Sequence, residues 1–159
     1  MDQSNLREKW HRRLANIAAE RLGAVTRQEA LDLLDAARAV RGRAYAPYSK
    51  LAVGAAILCK DRRVFAGTNV ENASYGATIC AERVATFNAV SAGCQAFAAI
   101  AVVADFPLGI PPCGSCRQVL AEFTRRAAVF MANLAGDIEV CSIAELLPLT
   151  FEMDFPGNR

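Results

Sequence analysis

Cys80, Glu82 and Arg83 stand close together in the stretch T-I-C-A-E-R (78–83), and two further thiols follow in P-C-G-S-C-R (112–117). Of these residue types, Glu and Arg make poor core residues unaided. Cys113 and Cys116 have the C-x-x-C spacing of a metal site. On spacing alone a redox pair, or two unrelated core thiols, remain alternative readings. Both stretches open a segment with helical patterning. Free backbone N–H groups and the positive end of the helix dipole favour thiolate at such a position. Cys80, Cys113 and Cys116, supplied by two helix starts, would give zinc three protein ligands. A tetrahedral ion so held keeps one position open for water, as in a catalytic rather than a closed structural site. Glu82, two residues past a ligand, can lie beside that water and move its proton; by itself it would only complement the dipole. Three thiolates leave zinc at about −1 formal charge, and Arg83 could withdraw some of it by hydrogen-bonding to sulfur. A solvated surface arginine is the alternative for Arg83. His11, the one histidine, lies in a charged amphipathic segment and reads as a surface residue.

The elements that would position these groups follow from periodicity. Leu6, Trp10, Leu14, Ile17, Ala18 and Leu22 recur at steps of three and four, which predicts one helix over 3–22 ended by Gly23. Arg7, Lys9, Arg12, Arg13 and Arg21 flank the stripe. Thr26 and Glu29 form a capping box for a second helix, stopped by Pro47. L-A-V-G-A-A-I-L-C (51–59) is a buried strand, D-R-R its turn, and R-V-F-A-G-T-N-V (63–70) its partner. Thr78 is the expected cap of a helix reaching Ala92. A-F-A-A-I-A-V-V-A (96–104) is another buried strand, and a proline-rich loop leads from it into the helix G-S-C-R-Q-V-L-A-E-F-T. Two more strands precede a second capping box, Ser142 with Glu145. This order predicts an α/β fold, a three-layer α-β-α arrangement with a mixed sheet of about five strands. The helix at 3–22 reads as an N-terminal helical extension.

With 159 residues, 53% of them hydrophobic, the chain suits one core-forming domain. A net charge of +2 gives no reason to expect a polyanionic partner. No apolar run approaches the ~20 residues of a membrane span, and no apolar secretory leader is recognisable, so a cytoplasmic protein is expected. In a reducing compartment the six cysteines favour metal binding or chemistry over disulfides. Cys59, Cys94 and Cys141 are expected as small core residues.

The pairing of C-A-E with P-C-G-S-C resembles the signature of the zinc nucleoside deaminases. A-Y-A-P-Y-S-K (44–50), V-G-A-A (53–56), N-V-E-N-A-S-Y-G (69–76), C-A-E-R (80–83), C-R-Q-V-L (116–120) and E-L-L-P-L-T-F (145–151) extend the likeness. In that order they resemble the small homotetrameric cytidine deaminases. The resemblance implies a catalytic domain over 26–159 behind an extension at 1–25. It implies hydrolytic deamination of cytidine and 2′-deoxycytidine in pyrimidine salvage, with zinc as cofactor. Cys80, Cys113 and Cys116 would bind the metal and Glu82 would shuttle protons. Asn69 and Glu71 would hold the ribose 3′-hydroxyl, and the Ala81 backbone would meet the base. Phe151 would reach the base in a neighbouring subunit, with a C-terminal core anchor as its other reading. The partners so implied are a small-molecule nucleoside and copies of the same chain in a homotetramer, without nucleic acid or membrane. Leu51 stands where the family usually has Phe, and Pro111 where a Ser often precedes P-C-G. A deaminase acting on another base, free or within nucleic acid, is the rival enzyme. A non-catalytic zinc module binding a partner through its basic first helix is the rival from another class.

Overall fold

The computed structural model describes residues 3–152; Met1, Asp2 and residues 153–159, the outer ends of the two expected segments, lie outside the described residues. Along the chain run α1 (Gln3–Ala15), α2 (Arg27–Arg41), β1 (Val53–Cys59), β2 (Val64–Thr68), α3 (Ala81–Ser91), β3 (Phe97–Ala104), α4 (Gly114–Phe123), β4 (Ala128–Asn133), β5 (Ile138–Ser142) and α5 (Ile143–Leu146). The strands form one mixed sheet in the order β2-β1-β3-β4-β5. Only the β3–β4 pair is parallel.

β1, β3 and β4 are buried along their whole length, as their continuous apolar runs require. Alternate side chains divide them between two cores. Ala56, Leu58, Ala101, Val103, Phe130 and Ala132 pack with α1 and α2. Ala55, Ile57, Ile100, Val102, Val129 and Met131 pack with α3 and α4 on the opposite face. The expected three layers are therefore present.

The stripe expected as one helix over 3–22 divides into α1 and a 3-10 turn at Ala19–Leu22, which Gly23 ends at φ 65°. Arg27 explains the break. Its guanidinium donates to the carbonyls of Leu14 (3.0 Å) and Ile17 (2.9 Å), satisfying acceptors that a helix end leaves free. Leu6, Trp10, Leu14 and Leu22 nevertheless share one buried cluster. Trp10 Nε1 donates to the Asn133 carbonyl (3.3 Å) at the end of β4. The flanking arginines are paired: Arg7 with Asp32 and Asp35, Arg12 with Glu8, Arg13 with Asp137, and Arg21 with Glu145, while Lys9 donates to the Ala135 carbonyl.

Both capping boxes form as expected. α2 ends at Arg41, before Pro47, because the N–H groups of Arg43 and Ala44 fold back onto the Val40 and Arg41 carbonyls. Cys59 and Cys94 are not separate core thiols. They are joined by a disulfide that ties the end of β1 to the segment leaving α3. Sequence patterning places each cysteine in a core but cannot show that the two cores are one.

Two glycines permit the close layering. A Cβ on Gly54 would meet the Ala37 carbonyl oxygen of α2 at 2.0 Å. A Cβ on Gly67 would meet the Ala85 nitrogen of α3 at 2.3 Å and the Ala81 oxygen at 2.8 Å. β2 thus sits directly against the first turns of α3. Gly67→Ala is expected to lower stability by about 1–3 kcal/mol through overpacking. Trp10→Ala, which empties a buried ring site in the other core, is expected to cost about 3–5 kcal/mol. Chemical denaturation midpoints check both; an unshifted midpoint for Trp10→Ala would mean that α1 adds nothing to the core.

Candidate metal centre

β2 and β3 both pair antiparallel with β1 and so run the same way on either side of it. A chain leaving such a strand must cross the sheet face to start the next one. α3 makes that crossing from β2 to β3, and α4 from β3 to β4. Both helices lie on one face and begin beyond the carboxyl ends of their strands, where open α/β sheets place ligands. This topology is what brings Cys80 to Cys113 and Cys116.

Cys80 is the N-cap of α3 and Cys113 the N-cap of α4, each without a side-chain capping bond. Thr78, the expected cap, instead accepts from the Asn72 N–H at 3.1 Å. The Cys80 and Cys113 sulfurs are 3.7 Å apart, those of Cys113 and Cys116 3.4 Å, and all three lie within 4.8 Å of one another. No other group of three potential ligands converges in this way among the described residues. Arg83 Nη2 donates to Cys80 Sγ (3.6 Å) and to the Thr78 carbonyl (3.2 Å), while its Nε is buried without a partner.

The cluster polarises its own members. A hydrogen bond from Cys116, followed by Arg83 and Cys113, pulls the Cys80 thiol down to about 5 against the opposing effect of burial. Donation to Cys80 and burial push Cys116 up. Cys80 is thus favoured as the thiolate a metal needs, and a bound cation would replace the proton that Cys116 holds. Three sulfurs at two helix N-termini beside a guanidinium fit zinc. Glu82 is 5% exposed, and burial followed by the charge on Cys80 raises its carboxyl group above the usual range.

A cavity of about 210 Å³ opens beside the cluster, lined in part by Leu51, Val53, Asn69, Glu71, Ala81, Glu82 and Pro111. Six expected site residues thus line it together: Asn69, Glu71, Cys80, Ala81, Glu82 and Cys113. The 69–71 segment is stitched there on both sides. Val70 exchanges backbone bonds with Ile79, and Tyr45 with Asn69 and Glu71. Asn69 accepts from the Val53 N–H and donates to the Leu51 carbonyl, both at 2.9 Å. The Glu71 carboxylate accepts from the Ser49 hydroxyl and from the N–H groups of Tyr48 (2.8 Å) and Ser49, which hold it ionised below its ordinary range.

Phe151 is absent from that wall. It is 69% exposed and so is no core anchor. Three contributors escaped sequence reasoning. Ser49 lines the cavity and holds Glu71. Arg117 donates from Nε to the Pro112 carbonyl (2.7 Å) and from Nη1 to the Leu146 carbonyl (2.9 Å), fixing the loop before Cys113. Gln118 holds the backbone of Phe151. The A-P-Y-S-K turn was a signal for the first; the C-R-Q-V-L motif marked the stretch holding the others but not the distant backbone groups they bind.

Residues 27–132 match the family model described as the cytidine and deoxycytidylate deaminase zinc-binding region. The chain is 48% identical over 123 residues to a cytidine deaminase of Sporosarcina psychrophila, covering 77% of this chain and 90% of that one. It is 52% identical over 120 residues to one from Halalkalibacterium halodurans, covering 75% and 91%. The crystal structure of cytidine deaminase from Burkholderia pseudomallei superposes with a TM-score of 0.74 at 50% identity, over 76% of this chain and 97% of that one. A zinc-compatible thiol cluster at the head of two helices, a buried acid beside it and these likenesses agree: the chain belongs to the cytidine and deoxycytidylate deaminase family.

Proposed function

We propose that the chain hydrolyses the C4 amine of cytidine and 2′-deoxycytidine, giving uridine or 2′-deoxyuridine and ammonia. The observation that carries this reading is the buried Glu82 carboxyl group in a small cavity that also reaches the cluster of three converged sulfurs through Cys80 and Cys113. Cys80, Cys113 and Cys116 hold the metal. Zinc bound there supplies water that is reactive near neutral pH. Glu82 takes a proton from the attacking water and delivers it to ring N3 as oxygen bonds to C4. It then carries the remaining hydroxyl proton to the amine, the C4–N bond breaks, and ammonia leaves. A buried acid with a raised pKa suits both halves of this transfer. Arg83 draws charge from Cys80. Asn69 and Glu71 face the ribose 3′-hydroxyl with the acceptor capacity their internal bonds leave free, and the Ala81 backbone meets the base. Leu51 and Pro111 form an apolar side of the cavity.

The working assembly in this reading is a homotetramer in which Phe151 of one subunit stacks on the base held by its neighbour. Its exposed ring and its absence from its own chain's cavity support that arrangement. Residues 1–25 are an extension to a catalytic domain at 26–159, and the family match beginning at residue 27 supports the boundary. The substrate is a free nucleoside rather than a polynucleotide: net charge is +2 and the arginines of α1 are paired within the chain. No helix among the described residues is long and apolar enough to cross a membrane, and a cytoplasmic location is part of the same proposal.

Glu82→Gln is expected to keep zinc and fold while losing roughly 10²–10⁴-fold in turnover of cytidine. An ultraviolet assay with metal analysis checks this, and near wild-type turnover would remove Glu82 from the mechanism. The purified protein is expected to carry about one zinc per chain. Cys116→Ala is expected to lower zinc content and activity in parallel; activity retained after loss of the metal would sink the zinc reading.

A further inference from the structure

Gln118 lies on α4 two residues beyond Cys116 and takes no part in the thiol cluster. Its amide makes a two-point contact with the backbone of one residue. Nε2 donates to the Phe151 carbonyl at 2.8 Å, and Oε1 accepts from the Phe151 N–H at 3.3 Å. Such a pair fixes both the position and the rotation of a peptide segment, which a single bond does not. Arg117 of the same helix and Arg125, just beyond its end, hold the preceding residues. Arg117 donates to the Leu146 carbonyl (2.9 Å), and Arg125 reaches the carbonyls of Leu147 (3.5 Å) and Pro148 (3.4 Å). The segment is thus attached through its backbone, while the side chains of Leu149 (91% exposed) and Phe151 face outward. Anchoring a backbone with neutral and charged donors while leaving two large apolar side chains in solvent contributes little to this subunit's own core. It does present a ring at a set place on the surface.

We propose that Gln118 is a positioning residue for base binding. It clamps residue 151 to the helix that also carries Cys116, so that the Phe151 ring enters a neighbouring subunit's cavity in a fixed orientation. This inference rests on the reading of Phe151 given above.

The test is a double-mutant cycle on the zinc-loaded enzyme with Gln118→Leu and Phe151→Ala, with Gln118→Ala as a second variant should the leucine impair folding. Gln118→Leu is expected to raise KM for cytidine roughly three- to tenfold, the range an aromatic contact supplies. kcat, zinc content, melting temperature and subunit number should be unchanged. The double variant should be no worse than Phe151→Ala alone, because the clamp acts only through the ring. If Phe151→Ala raises KM but Gln118→Leu does not, or if the two effects add, the Gln118 assignment is overturned and the Phe151 reading stands. Loss of zinc or of assembly in Gln118→Leu also overturns it, since Gln118 would then support the helix or the interface. If Phe151→Ala leaves KM unchanged, the Phe151 reading falls and the Gln118 assignment with it.

Discussion

Two crossover helices that follow strands of the same direction must begin at the same end of the sheet. Everything at the metal centre depends on this constraint. α3 and α4 share a face, so their N-termini meet beyond β2 and β3, and each delivers a cysteine as its N-cap. Close packing sets how near they come. The absent side chain of Gly67 lets β2 lie against the first turns of α3, and small residues fill the cores between sheet and helices. A cluster of sulfurs that would be costly anywhere else is stabilised by two helix dipoles and one guanidinium.

The same placement accounts for the character of Glu82. A first-turn carboxylate on an exposed helix would be stabilised in its charged form by the helix dipole. Here burial and the charge gathering on Cys80 work in the opposite sense and prevail. Arg83, one residue on, points to sulfur and to the Thr78 carbonyl rather than to solvent. Three successive positions therefore have different tasks because a helical turn rotates each about 100° from the last: Ala81 faces the core, Glu82 the cavity and Arg83 the sulfur.

Much of this was legible in the residues themselves. The runs 51–59 and 96–104 could be read as buried strands because nothing polar interrupts them. Thr26 with Glu29 and Ser142 with Glu145 announced helix starts through a purely local exchange of bonds. The grouping of Cys80, Cys113 and Cys116 was inferable from residue type and motif. What was not legible depends on partners distant in sequence. α1 stops where Arg27 takes its carbonyls. Thr78 serves Asn72 instead of a helix. Cys59 meets Cys94 only once α3 has packed on β1. The paired arginines of α1 likewise looked like a basic face until their acidic partners on α2 and at Asp137 were in view.

Asn69 and Glu71 are each engaged with the 48–53 segment before any nucleoside arrives. Their rotamers, and the course of the chain opposite the sulfurs, are selected during folding. A sugar docking there, as proposed, would meet a surface whose conformational entropy has already been removed, so the encounter need not order it again. On the proposed reading, recognition of the ribose by this wall is a matter of rigid complementarity, closer to a key seat than to a closing hand.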